Sequence, residues 1–334
     1  MTNVPDSESQ APRCMVFHNG AAGVPLEDLN EIHKIIRQSG TAVWLDLVDP
    51  SPHMVELLRK EFGFHPLALE DATLPHERPK ADDYADYWLL VTHGISGTAE
   101  SFIAHEVAIF ASHRYVVTIR HFPPYPLDEV ERRWFREGGT VRHESAALVY
   151  LLLDTMVDGY SRVADGFAGR VAEIEEMLFS GDHEPQEFLR EVFAIRNDSM
   201  RLRRSIAPMR EILSAIIHTP NDIFLRQEIE YYRDIRDHSL RALDELDVAR
   251  DAAAAALDMQ FRIESQHQND VVKQLTVIAT IFLPLTFVTG FFGQNFGWMV
   301  SHIENLREFA ILGIALEVAI AGGLLLWFKA RRWL

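Results

Sequence analysis

The first 145 residues alternate short apolar runs with helical patterns and turns. Runs rich in β-branched and aromatic residues predict strands over 42–48, 87–92, 106–110 and 115–120, the last two joined as a hairpin at Ser112-His113. Asp49-Pro50-Ser51-Pro52 predicts the end of a strand and the start of a helix over 53–62. This pattern predicts an α/β domain over residues 14–145 with a mixed or antiparallel sheet.

From residue 146 onward the apolar spacing becomes helical. Residues 146–220 predict a hairpin of two helices, over 145–179 and 185–218, with the turn at Ser180-Gly181-Asp182-His183. Thr219-Pro220-Asn221-Asp222 is a helix-start signal, and no Gly or Pro follows it before Pro284. One helix is therefore predicted from about 222 to Gly293, with 221–274 as a stalk. Two helices separated by a kink are the alternative.

Two segments near the carboxyl end are long and almost free of charge. Residues 275–293 are nineteen uncharged residues, and Glu317 is the one charged residue within 309–328. Each segment is long enough to cross about 30 Å of hydrocarbon as a helix. Two buried helices of a soluble protein are the alternative, although globular helices of this length seldom lack a polar face. The basic tail 329–334, compared with the outer loop 294–308, predicts that both termini are cytoplasmic.

The charge balance limits the classes of partner. Lys and Arg number 32 against 49 Asp and Glu, a net charge of −17, which disfavours nucleic acid and favours cations. The one cysteine, Cys14, excludes an internal disulfide and a Cys-rich zinc site. Residues 1–13 lack a signal-peptide pattern and are expected to be disordered.

No enzyme motif stands out in the sequence. The chain has neither a P-loop nor a dinucleotide fingerprint, so no nucleotide is expected. It also lacks HExxH and GxSxG, which makes a hydrolase the weakest option. The protein is therefore not expected to be an enzyme.

Small and polar residues form one stripe along the first uncharged segment and the helix before it. Alternating steps of three and four join Asn269, Val272, Thr276, Ala279, Leu283, Thr286, Gly290 and Gly293. If copies of this helix surround a pore, the threonine hydroxyls would touch a hydrated ion, while Val272, Leu275 and Leu283 would form dewetting gates. Helix packing through small residues, without conduction, is the alternative.

The segment ends in GFFGQNFGW, Gly290 to Trp298, which contains two amides. The carboxyl end of a helix carries partial negative charge on its free carbonyls, and Gly293 permits a turn there. Several copies of Asn295 would form a ring of neutral oxygens. Such a ring suits Mg²⁺, which sheds its water reluctantly, whereas a transition metal favours nitrogen or sulfur ligands. The residues thus predict an oligomeric cation channel with an amide mouth.

The segment LTVIATIFLPLTFVTGFFGQNFGWM resembles the first transmembrane helix and signature of the CorA family of divalent-cation channels, whose outer motif is Gly-Met-Asn. FHPLALEDATLPHERPKADDYADYWLLV, YYRDIRDHS and the basic tail resemble other parts of that family. The resemblance implies an α+β membrane protein: an α/β cytosolic domain, a long stalk helix continuous with transmembrane helix 1 (275–293), and transmembrane helix 2 (309–328) outside it. It also implies a homopentamer in the lipid of the inner membrane.

The resemblance assigns roles position by position. The selectivity filter falls on Gly293, Gln294 and Asn295, and the inner polar ring on Asn269. In the family, divalent ions held between neighbouring cytosolic domains close the channel. The matching residues are Asp71 and Asp234, with Glu70, His76 and His238 nearby, and Asp258 matches an acidic ring at the cytoplasmic pore entrance. Helix capping or surface charge is the alternative role for Asp71 and Asp234.

Gln294 stands where the family has methionine, which leaves the transported ion open. Passive uptake of Mg²⁺, with Co²⁺ or Ni²⁺ as further ions, is the leading hypothesis. A ZntB-type zinc transporter, with proton coupling, is the alternative, and a membrane-anchored metal sensor that does not conduct is another. Glu304 or Glu308 would attract cations to the entrance. Glu317 would be paired, protonated or part of a proton relay.

Overall fold

The computed structural model describes residues 11–18, 23–26, 28–74, 78–137, 144–181, 184–219, 223–225, 228–294, 297–302 and 305–333. The chain divides into two compact units, Met1–Ala256 and Leu257–Leu334. Residues 1–10 of the predicted disordered segment, 1–13, lie outside the described residues; the prediction is wrong at Arg13, which belongs to a strand.

The first unit contains one mixed sheet of seven strands. The strands are β1 (Arg13–His18), β2 (Val24–Pro25), β3 (Thr41–Val48), β4 (Lys80–Asp83), β5 (Trp88–Gly97), β6 (Phe102–Ala111) and β7 (Tyr115–Arg120). Their spatial order is β2-β1-β3-β7-β6-β5-β4. Strands β3 and β7 are parallel, and every other neighbouring pair is antiparallel.

The four predicted strands are confirmed as β3, β5, β6 and β7, and β6 and β7 form the predicted hairpin. Strands β1, β2 and β4 were not predicted. Strand β4 reads Lys-Ala-Asp-Asp at the edge of the sheet, where charged residues are tolerated because one side faces solvent. Every residue of β3 and β7 is buried, as expected for central strands that are covered on both faces.

Short helices cover one face of the sheet. They are α1 (Ile32–Ile35), α2 (Pro52–Phe62) and α3 (Pro66–Thr73). Phe64, which joins α2 to α3, stacks on Phe110 of β6 at a centroid distance of 4.0 Å inside the main apolar core. Ser51 caps α2, and His65 caps α3 by accepting from the Leu67 amide. This packing fixes α3, which carries Glu70 and Asp71, against the sheet.

Four further helices belong to the first unit: α4 (Asp128–Glu137), α5 (Glu144–Ser180), α6 (Pro185–Ile206) and α7 (Met209–His218). Helix α5 packs against β5. The prediction of one helix over 185–218 is wrong, because α6 ends at Ile206 and α7 begins at Met209. Pro208 lies in the break and has no amide hydrogen for the carbonyl four residues before it. The predicted turn begins at Gly181, in the left-handed conformation; Asp182 and His183 lie outside the described residues.

Helix α8 (Ile229–Phe292) is a single helix of 64 residues that includes Pro284. The alternative of two helices is therefore wrong. The predicted start near 222 is wrong, because residues 223–225 are not helical and α8 begins at Ile229; Pro220, Asn221 and Asp222 lie outside the described residues.

The second unit contains the end of α8 and the remaining helices. These are α9 (Gly297–His302), α10 (Leu306–Glu308), a π-helical segment (Phe309–Ala315) and α11 (Leu316–Ala330). Two apolar stretches, one within α8 and one within 306–330, are long enough to cross a membrane. Only 6% of the first stretch and none of the second is buried, which argues against two core helices of a soluble protein.

Candidate ion pathway and regulatory metal site

The predicted pore-lining residues all lie on an uncovered face of α8. Each of them is exposed in the single chain: Asn269, Val272, Leu275, Thr276, Ala279, Leu283, Thr286 and Gly290. Leu283 retains 72% of its accessible surface although its neighbours are apolar. A continuous apolar face of this kind requires lipid or further copies of the helix to cover it.

The opposite face of the same helix is partly covered within the chain. Val277 is buried, and Ile281, Pro284 and Val288 are intermediate in exposure. At 3.6 residues per turn, these positions lie roughly half a turn from the predicted pore stripe. Near the two ends of this segment, Lys273 Nζ lies 3.3 Å from the Arg332 carbonyl and Thr289 Oγ1 lies 2.8 Å from Glu317 Oε1. The second apolar segment, Leu306–Ala330, therefore packs on one side of α8 and leaves the stripe free.

The two threonines of the stripe present oxygen lone pairs rather than protons. Thr276 Oγ1 donates to the Val272 carbonyl at 2.7 Å, and Thr286 Oγ1 donates to the Phe282 carbonyl at 2.8 Å. A hydroxyl has one proton and two lone pairs, so the exposed side of each oxygen acts as an acceptor. Acceptors suit the water shell of a cation.

The first two residues of the predicted filter follow the end of α8 directly. The Gly293 amide donates to the Thr289 carbonyl at 2.8 Å, and the Gln294 amide donates to the Phe291 carbonyl at 3.3 Å. This second bond spans three residues instead of four, as in a 3₁₀ turn, and so tightens the end of the helix; the Gln294 side chain is exposed. Asn295 lies outside the described residues, as does Glu304. Glu308 is in α10 and half-buried.

The two predicted polar positions nearer the stalk are also on the surface. Asp258 and Asn269 both lie on α8 in the second unit, and both side chains are exposed. They are three turns apart, at 3.6 residues per turn. Among the described residues, the structure shows no ion pair that involves Asp258. Several copies of this residue around an axis would therefore concentrate negative charge.

The predicted regulatory carboxylate Asp71 is already paired with a lysine. Lys80 Nζ of β4 lies 2.7 Å from Asp71 Oδ2 and 3.1 Å from Asp82 Oδ2. Burial alone would lower the pKa of Lys80, but the hydrogen bonds to Asp71 and Asp82 outweigh it and hold the pKa above its ordinary value. Burial together with the charges of Asp82 and Asp71 also raises the pKa of Tyr84. Asp71 is one-quarter exposed, so one side of its carboxylate remains accessible.

The other predicted regulatory ligands are spread over the surface of the first unit. Glu70 is exposed on α3, and Asp234 lies on α8, where Nε2 of His238 is 3.6 Å from its Oδ1. His76 lies outside the described residues. Within the part of the chain that the structure describes, no three His, Cys, Asp or Glu side chains are grouped closely enough to hold a metal ion. The predicted placement of this site between neighbouring subunits accordingly stays a prediction.

Two relationships near these sites were not identified from the sequence. Lys80 lies within the motif that resembles the family, but nothing in its spacing shows that it pairs with Asp71. Thr289 lies between the stripe and the covered face, and its contact with Glu317 joins residues 28 positions apart. Each contact depends on how two elements pack, which a single sequence does not encode as a local pattern.

Comparison with known proteins places these features in one family. Residues 39–331 match the family model described as CorA-like Mg2+ transporter protein. The YfjQ protein of Bacillus subtilis is 32% identical over 291 residues, which cover 87% of this chain and 89% of YfjQ. The cobalt/magnesium transport protein CorA of Thermotoga maritima is 27% identical over 302 residues, covering 89% of this chain and 85% of that protein.

A solved structure has the same fold over nearly the full length. The complete CorA magnesium transporter of Methanocaldococcus jannaschii superposes with a TM-score of 0.76 at 19% identity, covering 96% of this chain and 98% of that one. This likeness supports the α/β domain, the long helix and the two apolar helices as one architecture. With the family model spanning most of the sequence, the chain belongs to the CorA-like Mg2+ transporter family, membrane proteins that move divalent metal ions.

Proposed function

We propose that this protein is a homopentameric channel for passive Mg²⁺ uptake, with Co²⁺ and Ni²⁺ as further permeant ions. The observation that carries the proposal is the exposed stripe of α8, which runs from Asn269 to Gly290 opposite the covered face and leads into Gly293-Gln294-Asn295. Five copies arranged with this face inward would cover its apolar surface and enclose a path. The outer loop would then face the outside, and both termini the cytoplasm.

The path would present different chemistry along its length. A hydrated ion entering from outside would meet the Asn295 oxygens first and then the Thr286 and Thr276 hydroxyl oxygens. Val272, Leu275 and Leu283 would close the pore by dewetting when the helices approach one another. Asn269 and Asp258 would receive the ion on the cytoplasmic side. For a divalent ion, a membrane potential of about 100 mV supplies about 4.6 kcal/mol, so no nucleotide is needed.

Closure would follow from intracellular metal. Asp71 of one subunit and Asp234 of its neighbour, with Glu70, His76 and His238 nearby, would share a divalent cation across the interface. Without that cation the carboxylates repel one another, the subunits separate and the pore wets. Mg²⁺ inside the cell would thus limit its own entry.

Flux into proteoliposomes tests conduction and ion choice. Purified protein should carry Mg²⁺ with no requirement for a pH gradient, and Asn295→Ala should abolish that flux while leaving metal binding by the cytosolic part intact. Asn305→Ala is the matched control, because Asn305 is an exposed amide of the same outer loop beyond the motif. Zinc flux that depends on protons, without Mg²⁺ flux, would support the ZntB-like alternative. Metal binding without any flux would support a sensor.

A second experiment tests the gate. We expect the Asp71→Ala, Asp234→Ala double variant to need more internal Mg²⁺ for closure. The control is Asp86→Ala with Asp244→Ala, which removes one exposed carboxylate from the α/β part and one from α8. An inhibition curve that is the same in the first double variant and the wild type would exclude Asp71 and Asp234 from gating.

A further inference from the structure

The chain folds back at the end of its last helix, α11. The Trp333 amide donates to the Phe328 carbonyl at 3.0 Å, and the Arg332 amide donates to the Lys329 carbonyl at 3.1 Å. Arg332 is in the left-handed conformation, with a φ of 56°. This pair of bonds around a left-handed residue is a common way to end a helix, and it reverses the chain direction. The Trp333 ring therefore lies over that of Phe328, which is buried, at a centroid distance of 5.8 Å.

The turn also places the tail against Lys273 of α8. Lys273 Nζ donates to the Arg332 carbonyl at 3.3 Å and lies 6.0 Å from the centre of the Trp333 ring. An ammonium group has three N–H donors, so two remain after the bond to this carbonyl. Arginine has a Cβ and disfavours the left-handed conformation, which glycine usually supplies at this position of a helix end. The contacts of the turn with Lys273 and Phe328 offset that preference and give the tail a defined shape.

Four basic residues lie at this end of the two apolar segments. Lys273 comes two positions before 275–293, and Lys329, Arg331 and Arg332 lie within four positions after 309–328. Asp270 is the one acidic residue in 265–274 and 329–334, so positive charge is locally in excess although the whole chain has a net charge of −17. In the described part of the chain, none of the four basic residues pairs with a carboxylate. An anion from outside the chain is thus the complementary partner.

Two exposed tryptophans accompany these basic residues. The guanidinium carbon of Arg331 lies 5.6 Å from the centre of the Trp327 ring, and Trp333 contacts Lys273 as described. Tryptophan is enriched at the level of the lipid headgroups, because its ring is apolar and its N–H needs a polar partner. Basic residues between membrane helices at that level are complementary to the phosphate of anionic lipids.

Apolar side chains beside the basic residues favour a lipid over a soluble anion. Leu325 and Leu326 lie one turn before Lys329 on α11, and both are exposed. An acyl chain covers such a surface, whereas an inorganic anion leaves it in contact with water. The ligand that matches both parts of this surface has a negatively charged headgroup and a hydrocarbon chain.

We propose that Lys273 and the folded tail 329–333 form a binding site for the headgroup of an anionic phospholipid. The two remaining N–H donors of Lys273 and the guanidinium group of Arg332 donate to the phosphate oxygens, since a guanidinium group matches phosphate geometry well. The acyl chain covers Leu325 and Leu326. Because the site joins α8 to the end of α11, bound lipid holds these two helices together. Lipid binding does not require ion conduction, so the inference stands apart from the proposed function.

Binding of defined lipids to the full-length protein in detergent tests the site. Native mass spectrometry counts the bound lipid during titration with phosphatidylglycerol or phosphatidylcholine, and we expect phosphatidylglycerol to bind at least about tenfold more tightly. Lys273→Gln should weaken this binding about fivefold, and the triple variant Lys329→Gln, Arg331→Gln, Arg332→Gln about a hundredfold. Arg307→Gln is the matched control, because Arg307 is an exposed cation at the opposite end of the second apolar segment, and it should bind as the wild type does.

Trp333 distinguishes a folded site from diffuse attraction between charges. Trp333→Ala keeps all four basic residues but removes the ring that packs on Phe328 and Lys273, so we expect several-fold weaker binding of phosphatidylglycerol. Trp333→Phe keeps an aromatic ring and should retain the affinity within about twofold. Both variants should bind phosphatidylcholine as the wild type does, which shows that the membrane helices are intact. Equal affinity for phosphatidylglycerol in Trp333→Ala and the wild type would overturn the folded site.

Two further results would contradict a lipid site. One is equal binding of phosphatidylglycerol and phosphatidylcholine to the wild type. The other is release of bound phosphatidylglycerol when inorganic phosphate replaces chloride at the same ionic strength, because the site would then recognise the free anion. A protein that binds phosphatidylglycerol as expected but carries no metal ion would refute the channel proposal and leave the lipid site standing. A channel that binds both lipids equally would do the reverse.

Discussion

Lys80 Nζ donates to Asp71 Oδ2 at 2.7 Å, so the carboxylate expected to bind regulatory metal already has a cationic partner in its own chain. A divalent ion that approaches Asp71 must compete with this ammonium group. Both side chains of the pair are partly buried, and Lys80 also contacts Asp82. If Asp71 binds regulatory metal as proposed, Lys80 should raise the metal concentration needed to occupy the site.

Replacement of Lys80 by alanine should make the channel close at lower internal Mg²⁺. We expect the half-inhibitory concentration to fall about two- to fivefold, the range for a partly exposed ion pair. The measurement is Mg²⁺ flux from proteoliposomes loaded with increasing Mg²⁺. Lys60→Ala is the control, since Lys60 pairs with Glu56 on the exposed surface of α2. A shift to higher Mg²⁺ would mean that Lys80 supports closure instead of opposing it.

The buried pair of Asp46 and Arg120 should dominate the stability of the sheet. Arg120 donates to both oxygens of Asp46, and Thr118 Oγ1 donates to Asp46 Oδ1 at 2.7 Å, all within the parallel pair β3 and β7. Asp46→Ala leaves a buried guanidinium without its partner, so we expect a loss of about 3–5 kcal/mol in unfolding free energy. Denaturant titration of the full-length protein in detergent measures it.

Arg13→Ala is the matched variant for this prediction. Arg13 contacts the same carboxylate at 3.5 Å but is half-exposed, so its removal should cost less than about 1 kcal/mol. Equal losses in the two variants would contradict the importance of burial at Asp46.

Sequence patterns predict the helices and strands that are determined by residues close together in the chain. Helix α8 was predicted as one helix because no Gly or Pro interrupts it before Pro284, and strands β3 and β7 because they are rich in β-branched and aromatic residues. Strand β4 was missed because three of its four residues are charged, and its assignment depends on pairing with β5. The break at Pro208 was missed because the apolar spacing continues across it.

The candidate sites divide in the same way. The stripe from Asn269 to Gly290 follows from the regular spacing of its residues along one helix. Its exposure agrees with the prediction that these residues lie on one face of α8. The Thr289 contact with Glu317 joins residues 28 positions apart on two different helices, which no periodicity revealed. The assembly of neighbouring copies, on which the pore and the regulatory metal depend, stays a prediction.

Glu245 provides a test of pH-dependent stability. Burial, followed by the charge of Asp165 and a hydrogen bond to it, raises the pKa of Glu245 above its ordinary value. A carboxyl group with a raised pKa in the folded state stabilises the fold fully below its ordinary pKa, and that stabilisation is lost as the pH rises through the raised value. Near neutral pH, where Glu245 is ionised, it therefore lowers the stability of the folded state.

Glu245→Gln should increase the thermal stability near neutral pH and have little effect at acidic pH. Because Glu245 is largely exposed, we expect less than about 1 kcal/mol. Thermal unfolding of the full-length protein across this pH range measures the difference. Glu175→Gln, at an exposed site on α5, should leave the pH dependence as in the wild type. A gain that is largest at acidic pH would contradict the assigned direction.

Leu283 tests whether the apolar positions of the stripe close the pore. It is 72% exposed in the single chain and lies on the face of α8 opposite Val277. In the proposed assembly its copies would meet at the axis and exclude water, because an apolar ring favours dewetting. Leu283→Asn replaces that ring with amides of similar size that retain water. We expect several-fold more residual Mg²⁺ flux at internal Mg²⁺ concentrations that close the wild type.

Leu283→Met keeps an apolar side chain of similar volume and should close normally. If Leu283→Asn closes as completely as Leu283→Met, the constriction lies elsewhere, and Val272 and Leu275 become the positions to test.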